Sequence, residues 1–274
     1  MAMIALLLSF SVAEWGVLDA RESKVISSPP KQTDQTPKPI PKPVRAPVIY
    51  FYGDMPKEVI LSLGVSPEKV LASEPGFTEI NGKPSWKIKP GNEKNGKRAA
   101  VLPCWTDPEA TAILANGRAC DYIFYEAMVS FNQGQSVKVL ERDEKSVKIV
   151  NVSRHPVYDV LYVVYTEKDK VVAAYTASLG SEDTVRLDFR NLPSENEVMA
   201  RLKGLGFTEG AAKAFYDEWW PVFTKRPGSP PTGSLPRVIS LSYRLSRNEI
   251  DEILPVSMSP EPEKVIRAWW VLAR

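Results

Sequence analysis

A chain of 274 residues with a single histidine, His155, has no means of building a multi-histidine zinc site, a two-histidine metal motif on a helix or a histidine proton relay. Cysteine is nearly as scarce. Cys104 and Cys120 are the only two, and their spacing fits neither a four-ligand metal site nor a Cys-x-x-Cys redox pair. In an oxidising compartment they would close one disulfide, worth about 3 kcal/mol for a loop of that length. The alternative is a pair of buried, unconnected thiols. An excess of one charge is also missing: 35 basic against 33 acidic side chains leave a net charge of +2, with no concentrated basic stripe. That balance removes the electrostatic case for a nucleic-acid partner. A glycine-rich phosphate loop, a dinucleotide fingerprint and a calcium-loop pattern are lacking too. The expectation is therefore no cofactor and no metal, and no internal repeat stands out.

What is present is ordinary for a globular chain, 43% hydrophobic and 25% charged, except for proline. Its 24 prolines outnumber the 15 glycines and are unevenly placed. Prolines 29, 30, 37, 39, 41, 43 and 47 alternate with polar residues, so residues 28–47 are expected to be an extended polyproline linker. Before it, residues 1–27 contain the run Met3 to Ala13, which resembles the apolar part of a signal peptide with small residues at Ser11 and Ala13. The run is too short to span a bilayer as a helix, and no lysine or arginine precedes Arg21. The expectation is export to the periplasm, cell envelope or exterior, with the N-terminus cleaved or serving as a membrane tether.

Residues 48–192 read as a β-sandwich region. Pro47 to Tyr52 is a β-branched and aromatic run turned by Gly53, with Glu58 to Leu63 as its partner strand. Residues 79–98 are polar and predict a loop around Trp86, and Pro108 to Asn116 predicts a short helix capped by Asp107 and ended by Gly117. Tyr122 to Tyr125 is a strand, and Ser136 to Arg142 with Ser146 to Val150 forms a hairpin around Asp143-Glu144. From Ser146 to Asp188 the strands follow one another: Val157 to Thr166, Val171 to Ala177 and Thr184 to Leu187. Such a succession suits an immunoglobulin-like antiparallel sandwich, whose chemistry, if any, sits in its loops.

Residues 193–274 change character. Ser194-Glu195-Asn196-Glu197 is a capping box, and Val198, Leu202 and Leu205 share one helical face. Thr208 caps a second helix in which Ala211, Phe215, Trp219 and Val222 recur at helical spacing and Pro221 kinks or ends the run. Val238 to Leu245 and Ile266 to Leu272 read as closing strands. The expected fold class is mainly β (α+β), a sandwich with a helical hairpin before the C-terminal strands.

The order of several segments resembles a family of uncharacterised bacterial exported cell-envelope proteins. These are Pro47 to Tyr52, Asp121 to Glu126, the Val150-Asn151 corner, Gly206 to Trp219, and Ile253 to Val256 through Pro260-Glu261-Pro262. The resemblance implies an exported β-rich architecture with an immunoglobulin-like sandwich and a C-terminal helical hairpin. It implies no assigned activity, and Glu126 stands where such proteins tend to carry arginine.

Candidate sites are few. His155, between Arg154 and Pro156, has Asp159 nearby but no serine in a strand-to-helix elbow, and is expected to be an exposed turn residue. Asn151-Val152-Ser153 matches a glycosylation acceptor. Asp217, Glu218, Glu249, Asp251 and Glu252 would support hydrolysis only if two of them faced each other across a cleft. The pairs Trp219-Trp220 and Trp269-Trp270 are conspicuous. Adjacent residues diverge on a helix and alternate on a strand, so one of each pair packs inward while the other lies at an interface between layers; core packing is the leading reading, and contact of Trp220 or Trp270 with a ligand or partner is the alternative. No catalytic residue is assigned. The leading expectation is a non-catalytic exported envelope protein that presents a sandwich surface to a protein or glycan. An exported carboxylate-dependent hydrolase of polysaccharide or peptide, and a structural subunit of an envelope assembly, are the alternatives.

Overall fold

A computed structural model describes residues 9–20, 40–91, 105–131, 136–166, 170–224 and 237–273. The first half runs through β1 (Phe10–Asp19), β2 (Ile40–Gly53), β3 (Val59–Leu63), β4 (Val70–Glu74), β5 (Thr78–Ile80), β6 (Lys83–Pro90), β7 (Ile113–Ala115), β8 (Arg118–Cys120) and β9 (Ile123–Phe131). The strands β10 (Val137–Arg142), β11 (Ser146–Asn151), β12 (Val157–Tyr165), β13 (Val171–Leu179), β14 (Thr184–Asp188) and β15 (Arg190–Asn191) follow. Helices α1 (Glu195–Gly204) and α2 (Glu209–Thr224) come next, and β16 (Arg237–Arg244), α3 (Arg247–Ile253), β17 (Val256–Ser259) and β18 (Lys264–Leu272) close the chain. The chain is mainly β, with antiparallel sheets and a helical hairpin before the C-terminal strands.

Nine strands make the large sheet, in the order β15-β13-β12-β16-β18-β1-β2-β9-β4. Two smaller sheets, β10-β11-β14 and β17-β3-β6-β7-β8, face it, with β5 paired to β6. Among the described strands the pairing of β1 with β18 is parallel and the others are antiparallel. A strand covered on both faces reads as an almost unbroken apolar run, and β1 is such a strand.

Strand alternation divides the interior. Val12 and Leu18 of β1, with Trp269 and Val271 of β18, face the two smaller sheets and α3 in the larger core, where Trp86, Ile88 and Tyr125 are also buried. Ala13, Trp15 and Val17, with Ala268, Trp270 and Leu272, face the opposite way and are covered by α1 and α2. The molecule is thus three layers deep: helical hairpin, large sheet, small sheets.

Several local expectations change. Phe10–Asp19, within the leading segment of residues 1–27, forms β1 in the middle of the large sheet, and Ile40–Pro47, within the linker of residues 28–47, belongs to β2. The polar composition of 28–47 conceals this, because β2 is specified by its partners β1 and β9 rather than by its own residues. The expected loop around Trp86 contains β6, whose Trp86 and Ile88 alternate inward between exposed lysines. The expected helix at Pro108 to Asn116 is a turn followed by β7. The Asp107 side chain accepts a hydrogen bond from Glu109 N at 3.0 Å, and Asn116 and Gly117, at φ 50° and 81°, make the two-residue hairpin turn into β8. Strand β3 pairs with β6 and β17, not with β2. Pro221 lies inside α2, which continues to Thr224. No described helix is long and apolar enough to cross a membrane.

Candidate binding cleft

The helical hairpin does not seal the large sheet completely. Between α1 and α2 on one side and β12, β13, β16 and β18 on the other, a partly open cavity of about 50 Å³ remains. A water needs about 10–15 Å³ on this measure, so the space admits a small organic group. Its apolar walls are Val198 and Leu202 from α1 and Leu205 at its C-cap, Phe215 and Phe223 from α2, and Leu161 from β12. Trp220, partly buried, and Trp270, packed into the core beneath the helices, both line it.

Each wall has an identifiable cause. Helix α1 begins with the expected capping box, in which Ser194 Oγ accepts from Glu197 N and the Glu197 carboxylate accepts from Ser194 N. Acidic residues in its first turn and Arg201 and Lys203 in its last complement the helix dipole. Val198, Leu202 and Leu205 repeat along one face, and Arg201 falls on the same stripe, three residues after Val198. Helix α2 is tied down at both ends. Thr208 caps it, accepting from Ala211 N at 3.1 Å, while its own hydroxyl donates to the buried Asp107 carboxylate. Tyr52 donates to the same carboxylate at 2.8 Å, which joins the helix start to β2. At the other end Ser240 Oγ of β16 donates to Phe223 O at 2.6 Å. Phe215 packs on Trp270 with ring centroids 4.2 Å apart.

Polar groups gather on one side of this apolar space. Asp159 sits at a bulge of β12 with φ 47°, a left-handed conformation that aspartate tolerates better than most residues. Its Oδ2 accepts from Arg244 Nε at 2.7 Å and its Oδ1 from Tyr175 Oη at 3.0 Å. Burial, reinforced by the neighbouring Asp159 carboxylate, pushes the Tyr175 phenol up to about 12, so it remains a donor at neutral pH. The Arg201 guanidinium lies 3.7 Å from the centre of the Tyr175 ring, a cation–π contact, and makes no ion pair among the described residues. Arg244 is paired with Asp159, whereas Arg201 has only the longer-range influence of Glu197, one helical turn back, whose carboxylate is engaged by the Ser194 cap. Among the described residues no group of three or more His, Cys, Asp or Glu side chains is arranged to hold a metal ion.

The remaining candidates lie elsewhere. Trp219 is buried against the sheet beside Phe223, and Trp269 is fully buried on the opposite side of β18 from Trp270. His155 is half-buried rather than exposed, and its Nε2 lies 3.1 Å from Arg154 Nε and 3.4 Å from Glu252. Arg154 in turn holds Glu252 below the usual carboxylate range. Asp159 points to Arg244, not to His155. Asn151 is wholly buried, its amide donating to His155 O, Leu179 O and Gly180 O, so the side chain of the acceptor sequence is inaccessible. Of the acidic residues, Asp217 pairs with Lys213, Glu218 accepts from Trp105 at 3.3 Å, and Asp251 binds Arg247 and Arg267, while Glu249 and Glu252 lie near each other beside His155 and Arg154 and away from this cavity. Cys120 is buried, which raises its thiol to about 12, and Cys104 lies outside the described residues, as does their expected pairing. Sequence reasoning weighs Asp159 only as a partner of His155 and does not reach Tyr175, Arg201 or Arg244. The available signal was Asp159 itself, a carboxylate interrupting the apolar strand Val157 to Tyr165.

No family model matches the chain, and no curated protein does. Among solved structures it is similar to the yeast delta-COP-I mu-homology domain complexed with a Dsl1 WxWxV peptide, with 10% identity, a TM-score of 0.39, and coverage of 97% of this chain and 98% of that one. The same yeast domain without the peptide gives 8% identity, a TM-score of 0.39, and coverage of 96% and 95%.

Proposed function

We propose that this chain is a non-catalytic exported protein of the cell envelope that binds a protein partner through the cleft beneath its helical hairpin. The observation that carries the reading is the convergence of Trp220 and Trp270 with an arginine, Arg201, that makes no close ion pair among the described residues. Anchored walls favour a preformed site. The apolar lining suits an inserted side chain better than a sugar, which needs a denser set of hydrogen-bonding groups. Export rests on the apolar run Met3 to Ala13 and the family resemblance. A cut after Ala13 would remove the first four residues of β1, so the exported form in this reading keeps residues from Phe10 onward.

Panning a displayed peptide library against the wild-type protein and Trp220→Ala in parallel tests the binding reading. Peptides enriched on the wild type and lost on the variant support it; enrichment that ignores the substitution, or no enrichment, overturns it. Trp220 is the informative position because it is only partly buried, whereas truncating the buried Trp270 would cost stability directly. Recovery of the native protein from the cytoplasm would overturn the export part. An assembly subunit is a second reading, favoured by the exposed Val139 and Leu140 on edge strand β10, and a monomeric mass in solution would count against it.

A further inference from the structure

We infer that the cleft recognises an apolar side chain lying beside a carboxylate, presented by a segment of the protein partner. The inference rests on the binding reading above and adds the chemistry of the occupant. The apolar part follows from the walls, because Val198, Leu202, Leu205, Phe215 and Phe223 carry no hydrogen-bonding side-chain group. The carboxylate follows from Arg201. Arg201 lines the same space, is held against the Tyr175 ring and makes no close ion pair among the described residues, because the nearest carboxylate on its own helix, Glu197, is engaged by the Ser194 cap. A half-buried arginine with a planar fork is suited to bidentate capture of a carboxylate.

The neighbouring charges fit this assignment. Asp159 is the acidic residue of the lining, and each of its oxygens already accepts a hydrogen bond, from Arg244 and from Tyr175. It therefore leaves Arg201 available and holds Tyr175 in place beneath it. The left-handed backbone at Asp159 is consistent with a position shaped by this arrangement rather than by regular strand pairing. The cavity's size favours a branched aliphatic group over a large ring.

The probes are N-acetyl-leucine and its uncharged analogue N-acetyl-leucinamide, titrated calorimetrically into the full chain and into Arg201→Met and Arg201→Lys. The acid is expected to bind about tenfold more tightly than the amide, a ratio set by one charge-assisted contact. Arg201→Met should abolish the preference, and Arg201→Lys, which keeps the charge without the fork, should retain part of it. Equal binding of acid and amide, or a preference surviving in Arg201→Met, would overturn the inference while leaving the cleft as a binding site. Hexanoate binding more tightly than N-acetyl-leucine would overturn the assignment to a protein segment. Absence of binding by every probe, while library peptides are still lost on Trp220→Ala, would sink the inference and spare the reading beneath it.

Discussion

Glu14 and Arg267 are buried together between the large sheet and the smaller ones, and they are register partners in the parallel pairing of β1 with β18. Arg267 Nε donates to one Glu14 oxygen; Tyr125 Oη, at 2.6 Å, and Trp269 Nε1, at 3.1 Å, donate to the other. Arg267 also donates to Leu254 O at 2.9 Å and to Asp251 at 2.6 Å. A one-residue slip would send every β1 side chain to the wrong face, and it would also strand two buried charges. Arg267→Met should cost about 3–5 kcal/mol in urea unfolding, because Glu14 is then left buried without its counter-ion. Adding Glu14→Leu to that variant should recover part of the loss.

Glu249 presents the opposite case. It is 5% exposed, one oxygen has no partner, and burial raises it to about 7 despite the neighbouring His155 and Arg154. Its folded-state value lies above the unfolded one of about 4.5, so the folded protein binds the extra proton between those two values. Its contribution therefore falls as pH rises from about 4.5 to 7 and is fully lost above that window. Glu249→Gln should remove this component, on the order of 3 kcal/mol, which the difference in urea midpoints between pH 5 and pH 8 would measure. At this scale the sequence is only partly readable. Glu14 interrupts an apolar run, but nothing local reveals that its partner lies some 250 positions away.

Among the elements, the hairpin of α1 and α2 was the most legible because its signals are local. The Ser194 capping box, the Val198, Leu202 and Leu205 spacing and the Thr208 cap each operate within a few residues. The close approach at Gly210 is not local. A Cβ there would lie 2.3 Å from Asp107 Oδ1 and 2.8 Å from Pro108 Cδ, so the start of α2 docks only because that position carries no side chain. Gly210→Ala should destabilise the fold by about 1–3 kcal/mol, read as a lower thermal midpoint, even though alanine is the better helix former. Elements fixed by remote pairing were read less well. Strand β6 has a lysine-rich outer face, and Gly117 read alone suggests a helix end, although Asn116-Gly117 together is a strong hairpin signal.

For the whole molecule, the placement of β1 is the decisive feature. It joins β2 to β18, lies near the middle of the nine-stranded sheet, and contributes to the cores on both faces. A chain starting at residue 14 would lose Phe10 and Val12, buried side chains worth about 1.5–3 kcal/mol each, together with part of two ladders. Its thermal transition should be lower and less cooperative than that of the full chain. The mainly antiparallel architecture and the late helical hairpin were legible from periodicity. The joining of the chain's beginning to its last strand was not, because periodicity identifies strands without choosing their partners. The cleft was half legible: its two tryptophans stand out by composition, whereas Arg201 and Asp159 acquire meaning only when α1 is laid over β12. Its central claim is most directly tested by the indole NH signals of Trp220 and Trp270 in a nitrogen-labelled sample titrated with N-acetyl-leucine. Both signals should shift together and saturate, with the fully buried Trp86 unmoved; shifts confined to other tryptophans, or none at saturating ligand, would contradict it.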